Sequence, residues 1–121
     1  MTIEDNLYKK SIKILTDLIA FKTISGQDNN ELINYCEKIL NDLEIETFKV
    51  FDENKIRVNL FGTLKAKNTN GKKPIILSGH TDVVPVSKGW SSDPFTATIK
   101  DNKLFGRGSC DMKGFIACTL A

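Results

Sequence analysis

Apolar residues recur at helical spacing from the start of the chain: Ile3, Leu7, Tyr8, Ile14, Leu15, Leu18 and Ile19. The spacing predicts an amphipathic helix over roughly 3–20, and Thr2 with Asp5 supplies a capping box for it. The stretch FKTISGQDNN breaks the period. A second helix then places Leu32, Ile33, Cys36, Ile39, Leu40 and Leu43 on one face. Strand patterning begins near Ile45, and Ile56, Val58 and Leu60 alternate with Arg57 and Asn59 as a half-buried strand does. The polar run KNTNGKK, with Asn70-Gly71 inside it, reads as a turn. Ile75-Ile76-Leu77 is a short continuous apolar run closed by Ser78-Gly79-His80. It predicts a fully buried strand whose C-terminal end presents His80. Two more strands, around 95–100 and 103–106, are joined at Asp101-Asn102, and a third helix begins near Asp111. Helix, helix, strands and helix in that order describe an α/β fold layered around a mixed sheet.

Bulk properties narrow the classes. A chain of 121 residues holds one small domain. With 40% hydrophobic and 26% charged residues it has the balance of a folded globular protein, not a disordered one. The net charge is +2, and Lys9, Lys10 and Lys13 fall on the polar side of the first helix. That is a solvated face, so neither a nucleic-acid nor a membrane partner is expected. No run reaches the ~18 apolar residues of a membrane span, and the acidic start lacks an apolar signal core. Cys36, Cys110 and Cys118 are odd in number and form no CxxC pair, which argues against a disulfide scaffold and a zinc knuckle. A cytoplasmic location follows as the expectation, with Cys36 as a core position. Met112, Phe115, Ile116, Cys118, Thr119 and Leu120 form an apolar surface close to the end of the chain, the pattern of a truncated domain.

Two clusters carry chemistry. His80 is the only histidine, and alone it would read as a hydrogen-bonded structural residue. Asp82, two positions on, lies on the same side of an extended stretch. There it could accept the ring N–H of a metal-bound imidazole, or it could cap a turn before Pro85. Binding residues of open α/β sheets collect in this place, beyond the carboxyl ends of strands. The second cluster is Gly106-Arg107-Gly108-Ser109-Cys110-Asp111-Met112-Lys113-Gly114. A phosphate cradle would want glycine where Asp111 stands, and the carboxylate opposes phosphate. A tight turn with Asp111 as helix cap and a metal-binding carboxylate beside close-approaching glycines both remain open.

Taken together, SGHTDVVPV and GRGSCDMKGF, with the spacer GWSSDPFTATIKDNKLF between them, resemble a known family. It is the di-zinc metallopeptidase family that includes acetylornithine deacetylase, succinyl-diaminopimelate desuccinylase and aminoacylase. The resemblance is continuous over about residues 74–121 and weaker before. It implies a three-layer α/β/α catalytic domain, of which residues 1–121 would be the N-terminal part, without the lid and dimerisation domain. It implies His80 as a ligand of one zinc, Asp82 as the residue that orients His80, and Asp111 as the carboxylate bridging both metals. The Asp111-Met112 bond is then expected to be cis, and Cys110 to be packing rather than a ligand. The implied cofactor is Zn2+, two ions per complete site, with Co2+ as a substitute. The general-base glutamate, its neighbouring glutamate ligand, another acidic ligand and a second histidine would lie beyond Ala121, so the chain alone is expected to be inactive.

Within the family, Ser109-Cys110-Asp111-Met112-Lys113-Gly114-Phe115 resembles the acetylornithine deacetylase pattern more than the desuccinylase one. The implied reaction is hydrolysis of N2-acetyl-L-ornithine to ornithine and acetate, a step of arginine biosynthesis. The implied partner is a small-molecule N-acyl amino acid, with a homodimer only in a full-length form. A non-catalytic binding module is the alternative from another class.

Overall fold

The computed structural model describes residues 2–121. Helix α1 (Ile3–Ala20) starts where its capping box places it: Thr2 Oγ1 accepts from the Asp5 amide at 3.1 Å, and Asp5 Oδ2 accepts from the Thr2 amide at 3.0 Å. These bonds satisfy backbone donors that the first turn leaves free. The second half of α1 buries Ile14, Leu18 and Ile19. Its first two turns do not: Ile3, Leu7 and Tyr8 stay exposed, because no described element packs over them. Helix α2 (Asn30–Asp42) buries Leu32, Ile33 and Cys36 in a core shared with Ile14 and Leu18 of α1 and with Val58, Ala117 and Leu120.

Strands β1 (Glu46–Phe51) and β2 (Val58–Thr63) form an antiparallel hairpin, with Glu46 opposite Thr63 and Phe51 opposite Val58. Lys49 turns toward α2, where it pairs with Glu37 and donates to Asn34 Oδ1 at 2.8 Å. Phe48 and Phe61 stand on the other face with ring centroids 6.2 Å apart. Strands β3 (Thr98–Lys100) and β4 (Lys103–Phe105) form a second hairpin. Its turn residues Asp101 and Asn102 both have positive φ, 50° and 57°, the mirror-image turn that matches strand twist. Helix α3 (Gly114–Leu120) completes the core with Ala117 and Leu120.

Three expectations change in the folded chain. Ile75-Ile76-Leu77 is not a buried strand; the three side chains are 89%, 82% and 63% exposed. An apolar run becomes a strand only when a neighbour takes its N–H and C=O groups, and no described strand pairs with it. For the same reason no single mixed sheet forms among the described residues. The strands pair as two separate antiparallel hairpins, and the parallel component is one bridge, Ile24 with Val83. The third helix begins at Gly114 rather than near Asp111, since Asp111 (φ −122°, ψ 95°) and Met112 (φ −139°, ψ 32°) have non-helical backbones across a cis peptide bond. Asp111 is therefore not a helix cap.

Cys36 is 4% exposed, and burial pushes its thiol up to about 11, whereas Cys110 and Cys118 are exposed. Cys110 is thus a surface residue and not the packing residue expected. Two thiols per chain should react with an aromatic disulfide reagent in native buffer and the third only in denaturant. Three equally fast thiols would show that α2 does not pack as described.

Candidate metal centre

The segment Ser109–Lys113, a wide irregular turn, carries Asp111 out from the end of the β3–β4 hairpin. Two glycines permit it. Gly108 has φ 82°, and a Cβ there would lie 2.6 Å from Val83 Cγ1; at Gly114 a Cβ would collide with the Ser109 carbonyl oxygen. The turn is closed by the Lys113 amide, which donates to Gly108 O at 2.8 Å. Lys113 itself is fully buried, and its Nζ donates to Leu18 O at 2.8 Å and Phe21 O at 2.7 Å, at the C-terminal end of α1. A cation suits that helix end, although burial pushes the ammonium down to about 8.

His80 and Asp82 come from the loop after the exposed apolar run. What holds that loop is not a ladder of its own but the linker between α1 and α2. Val83 N donates to Thr23 O and Ser25 N donates to Val83 O, both at 2.9 Å. Buried Thr23 donates its hydroxyl to Thr81 O at 2.6 Å. Asn29 ties the same loop to β2, donating from Nδ2 to Thr81 Oγ1 at 3.2 Å and to Val58 O at 3.0 Å.

The three expected site residues meet. His80 Nε2 lies 2.9 Å from Asp111 Oδ1, while Nδ1 lies 3.0 Å from Asp82 O and 3.2 Å from Asp82 Oδ1. Ser25 donates its hydroxyl to the other oxygen, Asp82 Oδ2. Burial alone would lower the His80 pKa, but the bonds to Asp111 and to Asp82 outweigh it and raise the value above the ordinary 6.5. The Ser25 hydroxyl is the main reason that Asp82 titrates below its usual range. An open cleft of about 310 Å3 borders the group, lined also by Arg107 and Gly108.

The donor set is suited to a divalent metal as far as it goes. A metal-binding imidazole needs a neutral Nε2, with its other nitrogen donating to an acceptor; Asp82 is that acceptor. Nε2 and Asp111 Oδ1 converge on one point from opposite elements. Tetrahedral ligands at ~2.0–2.1 Å from a common ion sit about 3.3 Å apart, so this pair has to open by a few tenths of an ångström to admit one. Two donors are fewer than the four of a closed site, and no cluster of three or more His, Cys, Asp or Glu side chains with metal-site geometry occurs among the described residues.

Sequence reasoning named His80, Asp82 and Asp111 and missed Ser25, Thr23 and Lys113. A Thr and a Ser two apart in a stretch that breaks helical period were a signal for a short extended segment with both hydroxyls on one side.

The fold is that of a peptidase. Over 96% of its length the chain superposes on human carnosine dipeptidase 1 with a TM-score of 0.74, at 22% identity, and covers 29% of that chain. Residues 76–121 match the family described as Peptidase family M20/M25/M40. The chain is 42% identical over 115 residues to an acetylornithine deacetylase of Photorhabdus laumondii, an alignment with 88% of this chain and 29% of the relative. It is 54% identical over 117 residues to a succinyl-diaminopimelate desuccinylase of Buchnera aphidicola subsp. Cinara cedri, with 94% of this chain and 29% of the relative. The chain belongs to the peptidase family M20/M25/M40. It spans about 29% of the length of these curated relatives. Among the described residues no helix is long and apolar enough to cross a membrane.

Proposed function

We propose that this chain supplies part of the catalytic domain of a zinc-dependent amidohydrolase that cleaves the acyl amide of an N-acyl diamino acid. The observation that carries the reading is the convergence of His80 Nε2 and Asp111 Oδ1, with Asp82 behind the ring. In it His80 and Asp111 would hold the zinc, and Asp82 would keep the proton on Nδ1 so that Nε2 is free to bind. When bound, the metal pair supplies Lewis acidity and a water ionised near neutral pH. Asp111 contributes negative charge that holds the pair together, and the exposed setting of all three side chains leaves the amide carbonyl room to approach. The compartment is read as the cytoplasm, which the three unpaired thiols suit.

Within that class the substrate is first read as N2-acetyl-L-ornithine, on the Ser109–Phe115 pattern and on relatives such as the acetylornithine deacetylases of Photorhabdus laumondii and Myxococcus xanthus. A second reading, N-succinyl-diaminopimelate, is favoured by the 54% identity to the Buchnera desuccinylase. Both are diamino acids acylated on one nitrogen, so one hydrolytic centre serves either. Residues 1–121 alone should turn over neither, because two metal donors and no general base make no catalytic centre. A full-length enzyme carrying this chain should show a higher kcat/KM for the acetyl compound. The reverse preference would replace the first reading by the second, and hydrolysis of neither amide would remove both.

A further inference from the structure

We propose that Ser25 is a positioning residue of the metal centre, its hydroxyl holding the Asp82 carboxylate in the orientation that meets His80. The inference rests on the metal-centre reading and adds a residue to it from a different part of the chain.

The Asp82 side chain is about half exposed, and within its own loop its carboxylate meets the His80 ring, 3.2 Å away, and its own backbone amide, neither of which sets Oδ2. A free carboxylate there would rotate among wells and offer Nδ1 an oxygen only part of the time. The linker after α1 removes that freedom. The bridge between Ile24 and Val83 locks the backbone on one side of Asp82, and the Thr23 hydroxyl on Thr81 O locks it on the other. With the backbone set, Ser25 Oγ takes Oδ2, which leaves Oδ1 turned to His80 Nδ1 at 3.2 Å. The chain of bonds is therefore Ser25 to Asp82 to His80 to Asp111, and only its first member lies outside the two motifs. Thr23 and Ser25 divide the labour by burial. Thr23 is 4% exposed and belongs to the packing, while Ser25 is exposed and contributes little to it.

His80 is the sole histidine, so its ring resonances need no assignment beyond their presence. The test uses the 121-residue chain, zinc chloride as probe, and two readouts: zinc affinity followed on the His80 ring, and the ring tautomer from long-range proton–nitrogen correlation at a pH where the ring is neutral. Ser25→Ala should weaken zinc about three- to tenfold, less than the ~10–100-fold expected for a direct partner such as Asp82→Asn. It should also shift the neutral ring from the Nδ1–H tautomer toward the Nε2–H tautomer, whose acceptor Asp111 Oδ1 lies 2.9 Å away, at an unchanged melting temperature. Ser25→Thr, which keeps the hydroxyl, should restore both. Thr23→Val should instead lower the melting temperature. The inference is overturned if Ser25→Ala leaves affinity and tautomer as they were, or if it melts as early as Thr23→Val. Zinc binding that survives His80→Ala would sink the metal-centre reading instead, while the tautomer comparison would still judge Ser25.

Discussion

Lys113→Ala should destabilise the fold by about 3–5 kcal/mol. The substitution removes three methylenes from a site without solvent access, worth roughly 2.4 kcal/mol at ~0.8 each, and leaves a cavity that α1 and α3 cannot fully close. It also removes the two ammonium bonds, 2.8 Å to Leu18 O and 2.7 Å to Phe21 O. Both carbonyls retain a local donor, Phe21 N at 3.3 Å and Thr23 N at 3.0 Å, so neither is orphaned. Lys113→Met keeps most of the volume and relieves the cost of a buried charge, and its loss should be only about 0–2 kcal/mol. Urea unfolding of the three proteins by circular dichroism is the measurement. Equal losses for Ala and Met would mean that the charge, and not the packing, holds the turn. Either way the effect reaches the site, because Lys113 ties the Asp111 turn to the end of α1, where the Thr23–Ser25 linker begins.

Zinc should bind the 121-residue chain weakly, and His80→Ala should abolish the binding. Tight structural sites gather four ligands and ~10–16 kcal/mol; the two donors here fall far short of that. Binding must also displace a proton. Asp111 and Asp82 raise the His80 pKa, so the site should be closed to metal at acid pH and should gain affinity as pH rises through that value. The proton acts on folding in the opposite sense. With its folded pKa above the unfolded 6.5, the His80 contribution to stability is complete below the unfolded value and is lost as pH rises through the folded one. Calorimetric titrations across pH 5 to 8, on wild type and His80→Ala, check both signs. Tight stoichiometric binding in the variant would show that other residues hold the metal.

The sequence by itself determined what depends on near neighbours. The 3.6-residue period and the Thr2–Asp5 box mark α1 to within a residue, because a helix satisfies its donors locally and its cap lies three residues away. The Asp101-Asn102 turn is legible for the same reason, as is the type of residue at His80, Asp82 and Asp111. Long-range partnership decided the rest. Ile75-Ile76-Leu77 has the composition of a buried strand, but pairing is a property of a neighbour, and here the run stays open. Nothing local marks Lys113 as buried, and only the arrival of α1, more than 90 positions away in the chain, makes it a buried clasp. Ser25 and Thr23 sit in what reads as a simple break between helices, and the residues they hold lie 57 and 58 positions on. No local period records such a separation; the packing of α1, the linker and the turn on one another creates it.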